Sequence, residues 1–151
     1  MQGAALSAPG AQIISRDTNG DGRQRQTILL VEDEKMIRRV MSEVLEREGY
    51  RVLACADPRE GIDVCQQYGG QIDLLLTDVV MPGMNGREMA NQILKILPKL
   101  RVVFMSGYTE NVLMHEGQTE PQIEYLQKPF KLETLTRKLA KVLGNSGAGA
   151  S

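Results

Sequence analysis

From Thr27 onward, short unbroken apolar runs alternate with longer stretches in which apolar residues recur every three or four positions. The run TILLV from Thr27 is β-branched and aliphatic and predicts a strand. Met36, Ile37, Val40, Met41, Val44 and Leu45 then follow at helical spacing, and Gly49 closes that helix. YRVLACA from Tyr50 predicts the second strand. Asp57-Pro58 opens the next helix as N-cap and first helical residue, with Ile62 and Cys65 on its inner face. IDLLLT, residues 72–77, predicts the third strand. A helix from about Gly86 turns Met89, Ile93 and Leu94 inward and stops at Pro98. RVVFM from Arg101 predicts the fourth strand, residues 108–118 a short polar helix, and IEYLQ from Ile123 the fifth strand. The last helix starts after Phe130 and packs Leu132, Leu135, Leu139 and Val142.

Five strands, each followed by a helix, predict a doubly wound α/β fold: a parallel sheet with helices on both faces. The expected strand order is 2-1-3-4-5, flavodoxin-like, with a crevice at the carboxyl ends of the strands beside the switch point. Residues 1–26, rich in Gly, Ala, Ser, Gln and Asp, read as a flexible tail or linker. Residues 27–143 form the domain, and GNSGAGAS, residues 144–151, reads as a second tail in which Gly144 can serve as a helix C′ residue. Linker-like ends on both sides suggest a module excised from a longer protein. No output domain is expected, since eight residues remain after Leu143.

With 151 residues, 42% hydrophobic and 25% charged, the chain can bury a sizeable core. A net charge of −1, with no block of Lys and Arg, argues against nucleic acid or a membrane surface as the main partner. Cys55 and Cys65 are too few and wrongly spaced for a disulfide framework or a zinc site, which points to a reducing cytoplasm. No apolar run reaches membrane-spanning length, and the N-terminus lacks the basic region and apolar core of a signal peptide.

The crevice rule gathers chemistry. Strand 1 ends in VEDE and delivers Glu32 and Asp33; strand 3 delivers Asp78, strand 4 Ser106 and strand 5 Lys128. Asp33 and Asp78 side by side repel and raise each other's pKa unless a cation intervenes. A hard divalent ion such as Mg²⁺ suits such oxygens, and Lys128 adds a fixed positive charge. Asp78, kept ionised, is then a carboxylate nucleophile towards phosphorus. Mg²⁺, Lys128 and the Ser106 hydroxyl cover the phosphoryl oxygens, as phosphoryl transfer requires.

The blocks ILLVEDE, DLLLTDVVMPGMNG, VVFMSGY and YLQKPF resemble the signature blocks of response-regulator receiver domains, over residues 27–143. The resemblance implies Asp78 as phosphoacceptor in two-component signalling, with Glu32, Asp33, Asp78 and the main-chain carbonyl of Val80 as Mg²⁺ ligands. It implies Ser106 as switch hydroxyl, Lys128 as phosphate-binding lysine, a cis Lys128-Pro129 bond, and Tyr125 as an aromatic that moves inward on activation. The implied donor is a histidine kinase or histidine phosphotransfer domain. The implied response is a shift of the face built by the fourth helix, fifth strand and last helix. Such a domain catalyses only its own phosphorylation and dephosphorylation. The long polar segment between the fourth and fifth strands resembles receivers attached to hybrid sensor histidine kinases. A stand-alone regulator and a homodimer both stay open.

Two positions that affect chemistry in this family, two after the phosphoacceptor and two after the switch hydroxyl, hold Val80 and Tyr108. Neither orients a water, so slow self-dephosphorylation is expected. Two decoys fall away. DTNGDG, residues 17–22, imitates an EF-hand start with Asp17, Asn19, Asp21 and Gly22, but its twelfth position is Ile28 where a Glu is required. His115, the single histidine, has no catalytic neighbour and reads as a surface residue. The eight methionines stand mostly at inward helical positions or in the signature loop, and core filling explains them. The rival readings are an aspartyl-nucleophile phosphatase or phosphotransferase, which lacks its usual second Asp because that position is Val80, and a phosphate-independent interaction module.

Overall fold

The structure is a computed structural model and describes residues 25–107 and 122–144. Its elements are β1 (Thr27–Val31), α1 (Lys35–Arg47), β2 (Arg51–Cys55), α2 (Pro58–Tyr68), a short 3-10 turn (Gly69–Gln71) and β3 (Leu74–Asp78). They continue with α3 (Gly86–Ile96), β4 (Arg101–Ser106), β5 (Ile123–Gln127) and α4 (Leu132–Val142). All strand pairs are parallel, in the order β2-β1-β3-β4-β5. The expected 2-1-3-4-5 arrangement is therefore present. The helix expected over 108–118, with Tyr108 and His115, lies outside the described residues, as do residues 17–22. Ile28, the would-be twelfth loop position, is wholly buried in β1.

The alternation of side chains along each strand divides the core in two. Leu29, Val31, Leu75, Val102 and Phe104 face α2 and α3, meeting Cys65, Met89 and Ile93. Ile28, Leu30, Leu74, Leu76, Val103 and Met105 face α1 and α4, meeting Met41, Leu45, Leu135 and Leu139. Strands covered on both faces explain the unbroken apolar runs. Each buried aliphatic side chain contributes about 1.5–3 kcal/mol. The two thiols are free and buried, and burial raises the pKa of both, Cys65 to about 12, which disfavours the reactive thiolate.

Local signals set the helix ends. Asp57 caps α2 by accepting from the Glu60 N–H, with Pro58 in the first turn. Asn85 and Glu88 form a reciprocal capping box on α3. Gly49, beyond α1, takes φ +101°, a conformation that L side chains rarely adopt.

Two expectations need correcting. Core filling by methionine does not extend to Met36: on α1 only Met41 and Leu45 are buried, whereas Met36, Ile37 and Val40 are 70%, 40% and 43% exposed. Helical spacing predicts a shared face but not a covering element, and the sheet covers only part of this wide apolar stripe. On α4, Leu132 is 41% exposed, because the covered stripe begins a turn later at Leu135.

Candidate functional site

At the carboxyl edge of the sheet the chain brings acids and an amine together. β1 continues its pairing one residue further, with the Glu32 N–H donating to the Cys55 carbonyl at 3.1 Å. This carries Glu32 into the edge of the sheet, where it is 1% exposed, and leaves Asp33 outside. The Glu34 N–H donates to Glu32 Oε2 at 3.1 Å, and Arg38 Nη1 donates to the Glu32 main-chain oxygen at 2.8 Å. Asp78 closes β3 beside Met105 of β4. Its neighbour Val79 donates to the Met105 carbonyl at 3.0 Å, and Gly86 at the start of α3 donates back to Val79 at 2.7 Å. The loop between is thus folded tightly onto the strand end. Val80, within it, turns its side chain outward.

Lys128 reaches in from the end of β5. Its Nζ donates to Asp78 Oδ2 at 2.7 Å, and its main-chain N–H donates to the Ser106 carbonyl at 2.8 Å. The Lys128-Pro129 bond is cis. Ser106 is buried at the end of β4, one residue beyond the one that pairs with Asp78. Tyr125 is half-buried on β5 and stacks on Phe104, ring centroids 5.7 Å apart. Of the residues expected at the site, Glu32, Asp33, Asp78 and Lys128 are therefore drawn to one point. Ser106 joins them through the Lys128 backbone, and Tyr125 lies on the adjoining strand. Arg38 was not singled out from sequence. The available signal was a cation about one helical turn into α1, behind the acidic pair.

One carboxylate oxygen each from Glu32, Asp33 and Asp78 lies within 4.8 Å of the others. Burial raises the pKa of Asp78, and Asp33 adds to this; the Lys128 bond and charge lower it but do not outweigh burial. Glu32 is raised for the same leading reason, opposed by its bond from Glu34. Lys128 alone therefore does not hold Asp78 at an ordinary acidity. Glu32 Oε1 is buried with no hydrogen-bond partner among the described residues. An all-oxygen donor set with a buried oxygen left over fits a hard divalent cation.

These shifts have a sign. The folded chain keeps protons on Glu32 and Asp78 at pH values where the unfolded chain has released them. Their contribution to stability is largest below the ordinary carboxylate range and is lost as pH climbs from there through the raised values. At neutral pH, Mg²⁺ is expected to restore stability. The melting temperature should rise with Mg²⁺ concentration, and rise less in Asp33→Asn. Thermal melts that ignore Mg²⁺ would remove the cation from this site.

The sheet order, with an acidic crevice at its switch point and a lysine from the last strand's end, defines a receiver-type α/β fold. The sequence model of the response regulator receiver domain matches residues 28–140, and the chain belongs to that family. It is 32% identical over 117 residues to the sensor kinase CckA of Brucella abortus (strain 2308), covering 78% of this chain but only 12% of that kinase. It is 34% identical to the response regulator receiver protein CpdR of the same organism, over 77% of this chain and 95% of CpdR. The crystal structure of the receiver domain from the hybrid histidine kinase CckA superposes with a TM-score of 0.67 at 32% identity, over 78% of this chain and 98% of that one. The protein is thus a receiver domain of two-component signalling, a type found both alone and within hybrid kinases. Among the described residues no helix is long and apolar enough to cross a membrane.

Proposed function

We propose that residues 27–143 act as a phosphoacceptor module, taking a phosphoryl group from a phosphohistidine donor onto Asp78. The observation that carries this reading is the pairing of the Asp78 carboxylate with Lys128 at 2.7 Å inside a three-carboxylate crevice. An Asp78 oxygen forms the new O–P bond as the donor's N–P bond breaks, its electron pair returning to the imidazole. Lys128, 36% exposed beside an 11% exposed Asp78, can turn from the carboxylate to the incoming phosphoryl oxygens. Glu32, Asp33, Asp78 and the Val80 carbonyl would hold Mg²⁺, which supplies charge neutralisation to the phosphoryl group when bound. Ser106 would close on the phosphoryl group and Tyr125 would follow, shifting the surface at the ends of β4 and β5.

The donor is read as a protein, a histidine kinase or histidine phosphotransfer domain. Met36, Ile37 and Val40 form an exposed apolar patch on α1, immediately after the acidic pair. Such a patch beside a reaction centre suits a partner that presents its histidine on an apolar helical surface. Ile37→Glu is expected to slow transfer from a phosphohistidine protein by about tenfold or more. Uptake from a small phosphodonor should stay unchanged. Equal loss from both donors would show that the patch is not a docking surface.

Phosphotransfer profiling against histidine kinases and histidine phosphotransfer domains tests the reading, with an acyl phosphate at Asp78 as the expected product. Uptake from none of them, nor from a small phosphodonor in Mg²⁺, would leave only an interaction module. Once formed, the phosphoryl group is expected to persist, because exposed Val80 offers no group to orient water. Val80→Asn should speed phosphate loss severalfold. Fast loss from the parent chain would contradict this.

A further inference from the structure

Arg87 lies on none of the routes described so far. It follows Gly86, the residue whose N–H clamps the start of α3 to Val79, next to Asp78. Its guanidinium carbon sits 5.7 Å from the centroid of the Phe104 ring, within the range of a cation–π contact. Phe104 is wholly buried on β4, two residues before Ser106 and on the same face of the strand. Tyr125 pairs with Phe104 across β4 and β5, and their rings stack at 5.7 Å and 26°. Arg87, Phe104 and Tyr125 thus link the three elements next to Asp78, Ser106 and Lys128.

We propose that Arg87 is a positioning residue that acts through Phe104 to hold Tyr125 in its stacked place, and so sets the equilibrium that phosphorylation of Asp78 must shift. This rests on the phosphoacceptor reading above. The guanidinium favours the ring arrangement it touches, which coexists here with an Asp78 carboxylate bonded to Lys128. Any arrangement in which Tyr125 leaves Phe104 gives up ring stacking that Arg87 supports. Binding at Asp78 is coupled to that cost, because a ligand's apparent affinity falls with the fraction of the chain in the state it selects. α3 therefore restrains the switch independently of the Ser106 hydroxyl.

The test uses the full chain labelled with fluorotyrosine, the Tyr125 line being assigned with Tyr125→Phe, and beryllofluoride with Mg²⁺ as the phosphoryl analogue. In Arg87→Met, the Tyr125 line of the free protein should move towards its beryllofluoride position. The beryllofluoride affinity should rise about two- to fivefold, as expected for loss of one cation–π contact. Arg87→Lys, which keeps a cation, should fall between. Phe104→Leu, which removes the ring but leaves Arg87, should move the Tyr125 line in the same direction. An unchanged line and affinity in Arg87→Met, or a shift in the opposite direction, overturns the inference alone. A parent chain that binds no beryllofluoride overturns the phosphoacceptor reading and this inference together, whereas one that binds it with an unmoved Tyr125 line overturns this inference alone.

Discussion

Asp78→Asn is expected to abolish phosphoryl uptake completely while leaving the fold intact. An amide oxygen is a poor nucleophile and carries no charge to complete the donor set shared with Glu32 and Asp33. The expected readout is a loss of hydroxylamine-sensitive phosphate from the chain after exposure to a phosphohistidine protein or a small phosphodonor. Asp63→Asn, an exposed position on α2, should retain full uptake. A second measurement separates chemistry from damage. Since burial outweighs Lys128 and disfavours the Asp78 charge, the neutral amide should melt at a higher temperature than the parent in metal-free buffer at neutral pH. Uptake that survives in Asp78→Asn would move the phosphoacceptor to another residue.

Gly86→Ala is expected to be the most disruptive single-methyl change near the site. A Cβ at Gly86 would collide with the Asp78 carbonyl oxygen, a backbone atom, and the Cβ position is itself fixed by the backbone. No side-chain rotamer can relieve it. Either α3 lifts away from the strand end, breaking the Gly86-to-Val79 bond, or the Asp78 peptide turns. A cost on the order of 3 kcal/mol is expected from overpacking against rigid backbone. Gly70→Ala, where an added Cβ meets nothing within 4 Å, should stay within about 0.5 kcal/mol of the parent. Denaturant unfolding of the two variants checks this. Phosphoryl uptake by any folded Gly86→Ala protein should also fall, because the clash bears directly on Asp78, the proposed phosphoacceptor. Equal stability of the two alanine variants would contradict the close approach.

The sheet was legible because a strand covered on both faces must be apolar at every position. TILLV and IEYLQ match β1 and β5 residue for residue. The third strand runs Leu74–Asp78 rather than over residues 72–77, and it ends at Asp78 as expected. The capping box of Asn85 and Glu88 is written in the sequence as an Asn followed three residues later by a Glu, inside a stretch that also carries the turn residues Pro82, Gly83 and Gly86. The reach of α1 was less legible. Six apolar residues at helical spacing share one broad face, yet burial depends on where the sheet ends, and Met36, Ile37 and Val40 lie beyond its cover.

The order of apolar runs and periodic stretches determined the elements, their parallel pairing and the residues that stand at the strand ends. Those are local properties, set by side-chain alternation and by the right-handed crossover of successive strands. The tertiary structure decided what no local rule contains. Residues 50 positions apart meet when Lys128 bonds Asp78, burial presses harder on that carboxylate than the amine relieves it, and Arg87 comes to rest over Phe104. Distances and solvent exposure arise only when separate strands and helices are packed together, and the electrostatics of the crevice follow from them.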